Sequence, residues 1–184
     1  MKVLLICGFR GSGKDEVGEY IQRMAEERGI EVRTWAFADK IRETLMKTFK
    51  LHQRSDYDNF KRSSFRLISD NFLRELDGRD ILRTIGMAMR SCNERAFLED
   101  VMKKVEEHPT ALNIITDLRF KNELDWAREN NYTIIKVKKT NTHSDGHISE
   151  LGIDDKYCNY IIENNGTKAD LWKETEKLFN KVVK

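Results

Sequence analysis

The apolar run Val3-Leu4-Leu5-Ile6-Cys7 leads directly into Gly8-Phe9-Arg10-Gly11-Ser12-Gly13-Lys14-Asp15. A helical pattern follows, with Val17, Ile21 and Met24 on one face, and Gly29 stops it. A buried strand, a glycine-rich turn and an amphipathic helix in that order leave few folds open. The turn matches G-x-x-x-x-G-K, the pattern of a phosphate-binding loop. Its glycines admit backbone turns that a side chain would block, and successive N–H groups can then point at one anion. The helix adds its positive end, and Lys14 supplies a point charge for the outer phosphates of a nucleotide. A bare match of this pattern arises by chance in about 5% of chains of this size. The strand before it and the helix after it make it specific.

The rest of the chain fits that beginning. Tyr132–Val137, Tyr157–Ile162, Ala111–Thr116 and Glu31–Phe37 read as strands. Asp39–Phe49, Phe120–Asn130 and Lys168–Val183 read as helices. Strands alternating with helices predict an α/β fold with a parallel sheet covered on both faces. Residues 58–108 read as entirely helical, with Asp80 as an N-cap and Pro109 as the stop. That stretch interrupts the alternation and is expected to stand above the sheet as an insertion. Residues 138–155 read as polar and irregular.

Composition narrows the function. The 184 residues carry 33 Lys plus Arg against 31 Asp plus Glu, a net charge of +2. A dedicated nucleic-acid binder usually shows a strong basic excess, so nucleic acid is not the expected partner. No apolar run approaches the ~18 residues of a membrane span, and the first is too short for a signal-peptide core. A soluble cytoplasmic protein is expected. A chain of this length can bury about 70% of its extended surface in one domain, residues 1–184. Cys7, Cys92 and Cys158 are scattered and suggest reduced thiols.

Two acids are placed for chemistry. Asp15 stands where such loops usually carry Ser or Thr, whose hydroxyl touches Mg²⁺; a carboxylate can do this directly or through water. As an alternative, it serves the helix dipole. Asp117-Leu118-Arg119 follows the strand Ala111–Thr116, and ligands of open α/β sheets bind at such carboxyl ends. Asp117 could hold Mg²⁺ or orient an acceptor; Arg119 could clamp phosphate oxygens. The alternatives are a helix cap and a solvated charge.

These residues resemble the bacteriophage-type deoxynucleoside monophosphate kinases and their relatives, the animal-type phosphomevalonate kinases. Both share G-x-[KR]-x-S-G-K-D, matched by Gly8, Arg10, Ser12, Gly13, Lys14 and Asp15, and an Asp-x-Arg matched by Asp117 and Arg119. The phage group adds a Glu, matched by Glu123. It also has H-x-[ST]-E-x-G, matched by His147, Ser149, Glu150 and Gly152, and Asn-x-Gly, matched by Asn164 and Gly166. The middle departs from the pattern: Phe37-Ala38-Asp39-Lys40-Ile41-Arg42 lacks the family's proline. Arg83 stands where the family has Gln, and Met87 follows Gly86 where the family often has Thr.

The resemblance implies a three-layer P-loop NTPase fold, like that of nucleoside monophosphate kinases, with a five-stranded parallel sheet and a helical acceptor-binding region at about 39–108. It implies ATP as donor with Mg²⁺ and a deoxynucleoside monophosphate as acceptor. Lys14, Asp15, Asp117 and Arg119 would be catalytic, and Asp15 and Asp117 would hold the metal. The loop residues Gly8, Arg10, Gly11, Ser12, Gly13, Lys14 and Asp15, with Lys138, Asn164 and Gly166, would bind ATP. Asp39, Lys40, Arg42, Arg83, Arg90 and Glu123 would bind the acceptor, with Arg62 and Arg66 as further cations in the same zone. Arg83 and Arg90 are seven apart and share a helix face. Residues 138–156 would form a short lid-like loop. Tyr57, Phe60, Phe65, Phe72 and Trp35 are candidates for a base pocket or for the core. A homodimer is left open, and a viral source would put the protein in a host cytoplasm.

Other readings are weaker. Thr167-Lys168-Ala169-Asp170 resembles the guanine-selecting signature of GTPase switches, but no D-x-x-G follows the second strand. A phosphomevalonate-like acceptor is the enzyme alternative, and a non-catalytic ATP-binding module is a third. His143 and His147 with Cys158 raise a metal site, but Asp145-Gly146 between the histidines reads as a turn.

Overall fold

In the computed structural model, residues 2–69, 72–142 and 152–183 are described, with side chains of 65–76 left aside. The chain divides into two compact units, Met1–Phe37 with Val101–Lys184, and Ala38–Asp100.

The first unit holds a five-stranded parallel sheet in the order β2-β5-β1-β6-β7. Its strands are β1 (Lys2–Cys7), β2 (Val32–Trp35), β5 (Leu112–Ile115), β6 (Thr133–Lys138) and β7 (Tyr160–Glu163). Its helices are α1 (Lys14–Glu27), α6 (Lys121–Glu129) and α7 (Lys168–Val182); a short 3-10 helix spans Asp155–Tyr157. Central β1 is buried from Val3 to Cys7, as a continuous apolar run requires. Leu4 and Ile6 join Val17, Ile21, Leu171 and Phe179 in one core, so α1 and α7 cover one face. The connection from β1 to β2 runs one way across the sheet and that from β5 to β6 runs the other. Right-handed crossovers therefore set α1 and α6 on opposite faces, which makes three layers. The fully buried Asn113 is satisfied: it accepts from Trp35 Nε1 at 2.8 Å and donates to the His108 carbonyl at 3.0 Å. Trp35 thus serves this core.

The second unit contains α2 (Asp39–Thr48), α3 (Arg54–Arg62), β3 (Ser64–Ser69), β4 (Phe72–Asp77), α4 (Gly78–Cys92) and the start of α5 (Ala96–Glu107). The expectation of an all-helical 58–108 is corrected here, because β3 and β4 pair antiparallel from Ser64↔Asp77 to Ser69↔Phe72. Apolar residues at 65, 68, 72 and 76 fit a helical period. The antiparallel ladder between the two strands outweighs that period. The cap of α4 shifts too. Asp77 is the N-cap, accepting from Asp80 N at 2.8 Å, while Asp80 accepts back from Asp77 N at 3.3 Å. Tyr57 and Phe60 pack with Leu45 in this unit's own core, and burial pushes the Tyr57 hydroxyl's pKa up.

Candidate functional site

β1 and β5 are neighbours whose onward connections part in opposite directions, so the crevice at their carboxyl ends is the sheet's switch point. Both sequence motifs emerge there. Gly8–Lys14 follows β1 and Asp117–Arg119 follows β5. The two segments are tied where Leu118 N donates to Ile6 O at 3.2 Å. Asp117 Oδ1 accepts from Phe37 N at 2.7 Å, which fixes the exit of β2 to the same end of the sheet.

The phosphate loop begins as a turn, with Ser12 N donating to Phe9 O at 3.1 Å. Gly13 takes φ +94 at the N-cap of α1, a left-handed conformation that costs an L side chain about 1–2 kcal/mol. A Cβ there would also collide with the Asn164 amide nitrogen. No side chain caps α1. Lys14 is only 8% exposed, and among the described residues its one partner is Asp15, at 3.4 Å. Among the described residues the buried Ser12 Oγ has no hydrogen-bond partner. A nearly buried ammonium with one long contact, an orphaned hydroxyl and an uncapped helix start meet within three consecutive residues. One polyanion would offset all three. Arg10, Gly11 and Asp15 are exposed around this cradle.

The ends of β6 and β7 close the loop from the other side. Asn164 N donates to Lys138 O at 2.7 Å, and its side-chain amide donates to Ser12 O at 2.8 Å. Asn165 Oδ1 accepts from Thr140 N and Oγ1 at 2.6 and 2.7 Å. The expected ATP-binding residues Lys138, Asn164 and Gly166 therefore lie on the strand ends joined to the loop. For Gly166 a plain reason also appears, since a Cβ would crowd Asp170 Oδ2 at 2.7 Å.

Glu123, expected at the acceptor, has a structural task as well. It is fully buried, and Oε2 accepts from Arg119 N at 2.9 Å and Phe120 N at 3.0 Å. It shapes the Asp-x-Arg loop and starts α6. Thr167 and Asp170, the GTPase-like pair, form the capping box of α7: Asp170 Oδ2 accepts from Thr167 N at 2.9 Å and Thr167 Oγ1 from Asp170 N at 3.2 Å. A carboxylate held there is engaged with its own helix rather than with a base.

Within the second unit, Asp39 is buried and pairs with Arg42 at 2.7 Å. Lys40 lies 3.9 Å from Asp100, Arg83 4.0 Å from Asp80, and the Arg90 guanidinium sits 4.6 Å over the Phe97 ring. Arg83 and Arg90 share α4. Of the remaining expectations, His143, His147, Ser149 and Glu150, with the rest of residues 143–151 in the lid-like loop, lie outside the described residues. So do the side chains of Phe65, Arg66 and Phe72. Among the described residues no cluster of three metal-ligating side chains occurs.

Sequence reading missed a pairing of two cysteines. Cys7, the last residue before the loop, is buried, and its thiol's pKa is pushed far up, first by a hydrogen bond with Cys158 and then by burial. Only topology brings positions 7 and 158 together.

The fold is that of the P-loop kinases. APS kinase of Mycobacterium tuberculosis, solved in complex with AMPPNP and APS, is 14% identical, with 97% of each chain covered and a TM-score of 0.50. A gluconokinase from Sinorhizobium meliloti 1021 is 13% identical over 98% of this chain and 92% of its own, with a TM-score of 0.47. The sequence match is narrower than the fold. Residues 87–175 match the family model of deoxynucleotide monophosphate kinase, which bears out the resemblance carried by Asp117-x-Arg119 and Asn164-x-Gly166. A deoxynucleotide monophosphate kinase of Escherichia phage RB69 is 33% identical over 66 residues. That match spans 35% of this chain and 27% of the phage protein, about a quarter of its length. No helix among the described residues is long and apolar enough to cross a membrane.

Proposed function

We propose that this chain is a deoxynucleoside monophosphate kinase. It transfers the γ-phosphoryl group of ATP to a deoxynucleoside 5′-monophosphate and yields the diphosphate and ADP. The observation that carries the reading is the cradle at Ser12–Lys14: a nearly buried lysine, an unpartnered buried hydroxyl and an uncapped helix start. The match over 87–175 supports a nucleotide as acceptor. With soluble nucleotides as substrates, the place of action is a cytoplasm, the host's if the source is viral.

Phosphoryl transfer needs alignment and charge neutralisation more than covalent chemistry. Lys14 and the loop amides hold the donor phosphates, with Arg10, Gly8 and Gly11 completing the loop. An acceptor phosphate is already an anion, so no strong general base is required. Arg119, on the loop shaped by Glu123, neutralises charge on the group in transit. Lys40, Arg42, Arg83 and Arg90 supply cations for the acceptor, and Asp39 orients Arg42. Mg²⁺ bound with nucleotides is usually held by one or two carboxylates plus phosphate oxygens and water. The exposed Asp15 beside Lys14 and Asp117 at the end of β5 fit that donor set, and the ion would neutralise the donor phosphates.

The test is an acceptor panel with Mg-ATP: dTMP, dGMP, dCMP, dAMP, modified pyrimidine monophosphates and phosphomevalonate. ADP release is expected only with a deoxynucleoside monophosphate. ADP release with phosphomevalonate alone, or none with any acceptor, would sink the reading.

A further inference from the structure

The loop's Phe9 is met by a distant stretch of chain. Gly152 sits at φ +78, where an L side chain is strained, and a Cβ there would lie 3.2 Å from the Phe9 ring. One residue on, the buried Ile153 offers its carbonyl to Lys136 Nζ. Asp155 then accepts from Lys136 Nζ at 2.7 Å and from Lys138 Nζ. Lys136 and Lys138 are two apart on β6 and so share a face of the sheet. Two ammonium groups on one face repel, and a single carboxylate bridges them.

The two lysines differ. The Lys136 side chain is 12% exposed and two of its three donors are engaged by Ile153 O and Asp155. The Lys138 side chain is 36% exposed, and among the described residues Asp155 is its one side-chain partner. Its backbone carbonyl accepts from Asn164 N, and Asn164 holds Ser12 O. Lys138 is thereby joined to the phosphate loop through its backbone and to Asp155 through its side chain. Two ammonium groups and one carboxylate sum to one positive charge, with Glu163 opposite Lys138 on β7 as a further acid nearby, and Lys138 is the lysine with more donors to spare.

We propose that Asp155 is a positioning residue for the donor nucleotide: it fixes the Lys138 ammonium beside the phosphate loop, so that Lys138's remaining donors meet the polyphosphate. The inference rests on the kinase reading above. A lysine on a flexible stem loses rotamer freedom when it binds an anion, and a carboxylate that holds it in place beforehand lessens that loss. Hydrogen bonds from Lys136 first and Lys138 second keep the Asp155 carboxyl below the usual carboxylate range, so it is charged at neutral pH.

A double-mutant cycle on the full chain tests this, with ATP affinity by calorimetry and steady-state KM and kcat. Asp155→Asn should raise Kd and KM for ATP about 3–10-fold with kcat little changed, the pattern of lost binding common to ground and transition states. Lys138→Met should do the same. The double variant should be no worse than Lys138→Met alone, and Asp155→Glu should recover part of the affinity. If Asp155→Asn weakens ATP equally in the Lys138→Met background, Asp155 acts only on the fold of its segment and the inference is overturned. Unchanged or tighter ATP binding in Asp155→Asn overturns it too. Lys14→Ala separates the two levels. If Lys14→Ala still binds ATP normally, the kinase reading itself fails. If it loses ATP while the cycle is additive, only the role of Asp155 fails.

Discussion

Two helices of the first unit begin at the carboxyl end of a strand in the same parallel sheet, and they begin in opposite ways. The helix α7, after β7, is closed by its own side chains: Thr167 and Asp170 satisfy each other's backbone N–H groups. The helix α1, after β1, has a left-handed glycine at its N-cap, no side-chain cap, and a buried hydroxyl and a nearly buried lysine unspent beside it. Closing a helix start with a capping box typically stabilises by about 1 kcal/mol. At α1 that stabilisation is forgone and the amides stay open to an outside anion. A helix start left open in this way, with a cation beside it, marks the proposed donor site; the closed one is scaffold.

The largest break in that contrast is removal of the cation. Lys14→Ala should lower turnover by about 10²–10³-fold, the scale of losing one charge stabiliser at a reacting group. The variant should keep its far-UV circular dichroism and melt close to the parent, because a nearly buried ammonium with one long polar contact adds little to the stability of the fold. Activity that survives this change would show that the loop is not the donor site.

A second break acts on the backbone. Gly13→Ala combines a strained φ with a Cβ that collides with the Asn164 amide, the group that ties β7 to the loop. ATP affinity should fall about tenfold or more, about 1.4 kcal/mol or beyond, and calorimetry would read it. Asn164→Ala is milder, since it loses only the hydrogen bond to Ser12 O, worth about 1 kcal/mol. A Gly13→Ala protein that binds ATP as well as the parent would mean the loop tolerates a different shape, against the geometry seen here.

The open helix start was legible in the sequence because its requirements are local. Gly8 to Lys14 lie within one turn, and the flanking strand and helix show by period alone. The five parallel strands were legible for a like reason: Val3–Cys7 and Leu112–Ile115 are buried runs that hardly fit anything else. The antiparallel pair β3 and β4 was not, because its apolar residues also satisfy a helical spacing. Glu123 was legible as a family position but not as a cap, since its hydrogen bonds to Arg119 and Phe120 depend on how the chain leaves β5. The Cys7–Cys158 and Lys136–Asp155–Lys138 groupings join segments separated in the chain, and only the strand order reveals them.

The smallest effect belongs to the closed helix. Thr167→Ala removes the hydroxyl that accepts from Asp170 N and donates to Asp170 Oδ2. Unfolding in urea should shift by about 1 kcal/mol, the usual cost of losing such a cap, with ATP affinity unchanged. The effect should also depend on pH, and its sign follows from Asp170. The Thr167 side-chain hydrogen bond, then the backbone one, hold its carboxyl below the usual range. A carboxyl depressed in the folded state binds protons less readily than in the unfolded chain. Its stabilisation is therefore present above the ordinary carboxylate pKa, near 3.9, and fades as pH falls through the folded value. The gap between parent and Thr167→Ala should be full at pH 7 and narrow toward pH 3. A gap that stays constant across that range would detach the Asp170 carboxylate from the cap and leave the Thr167 hydroxyl alone to close α7.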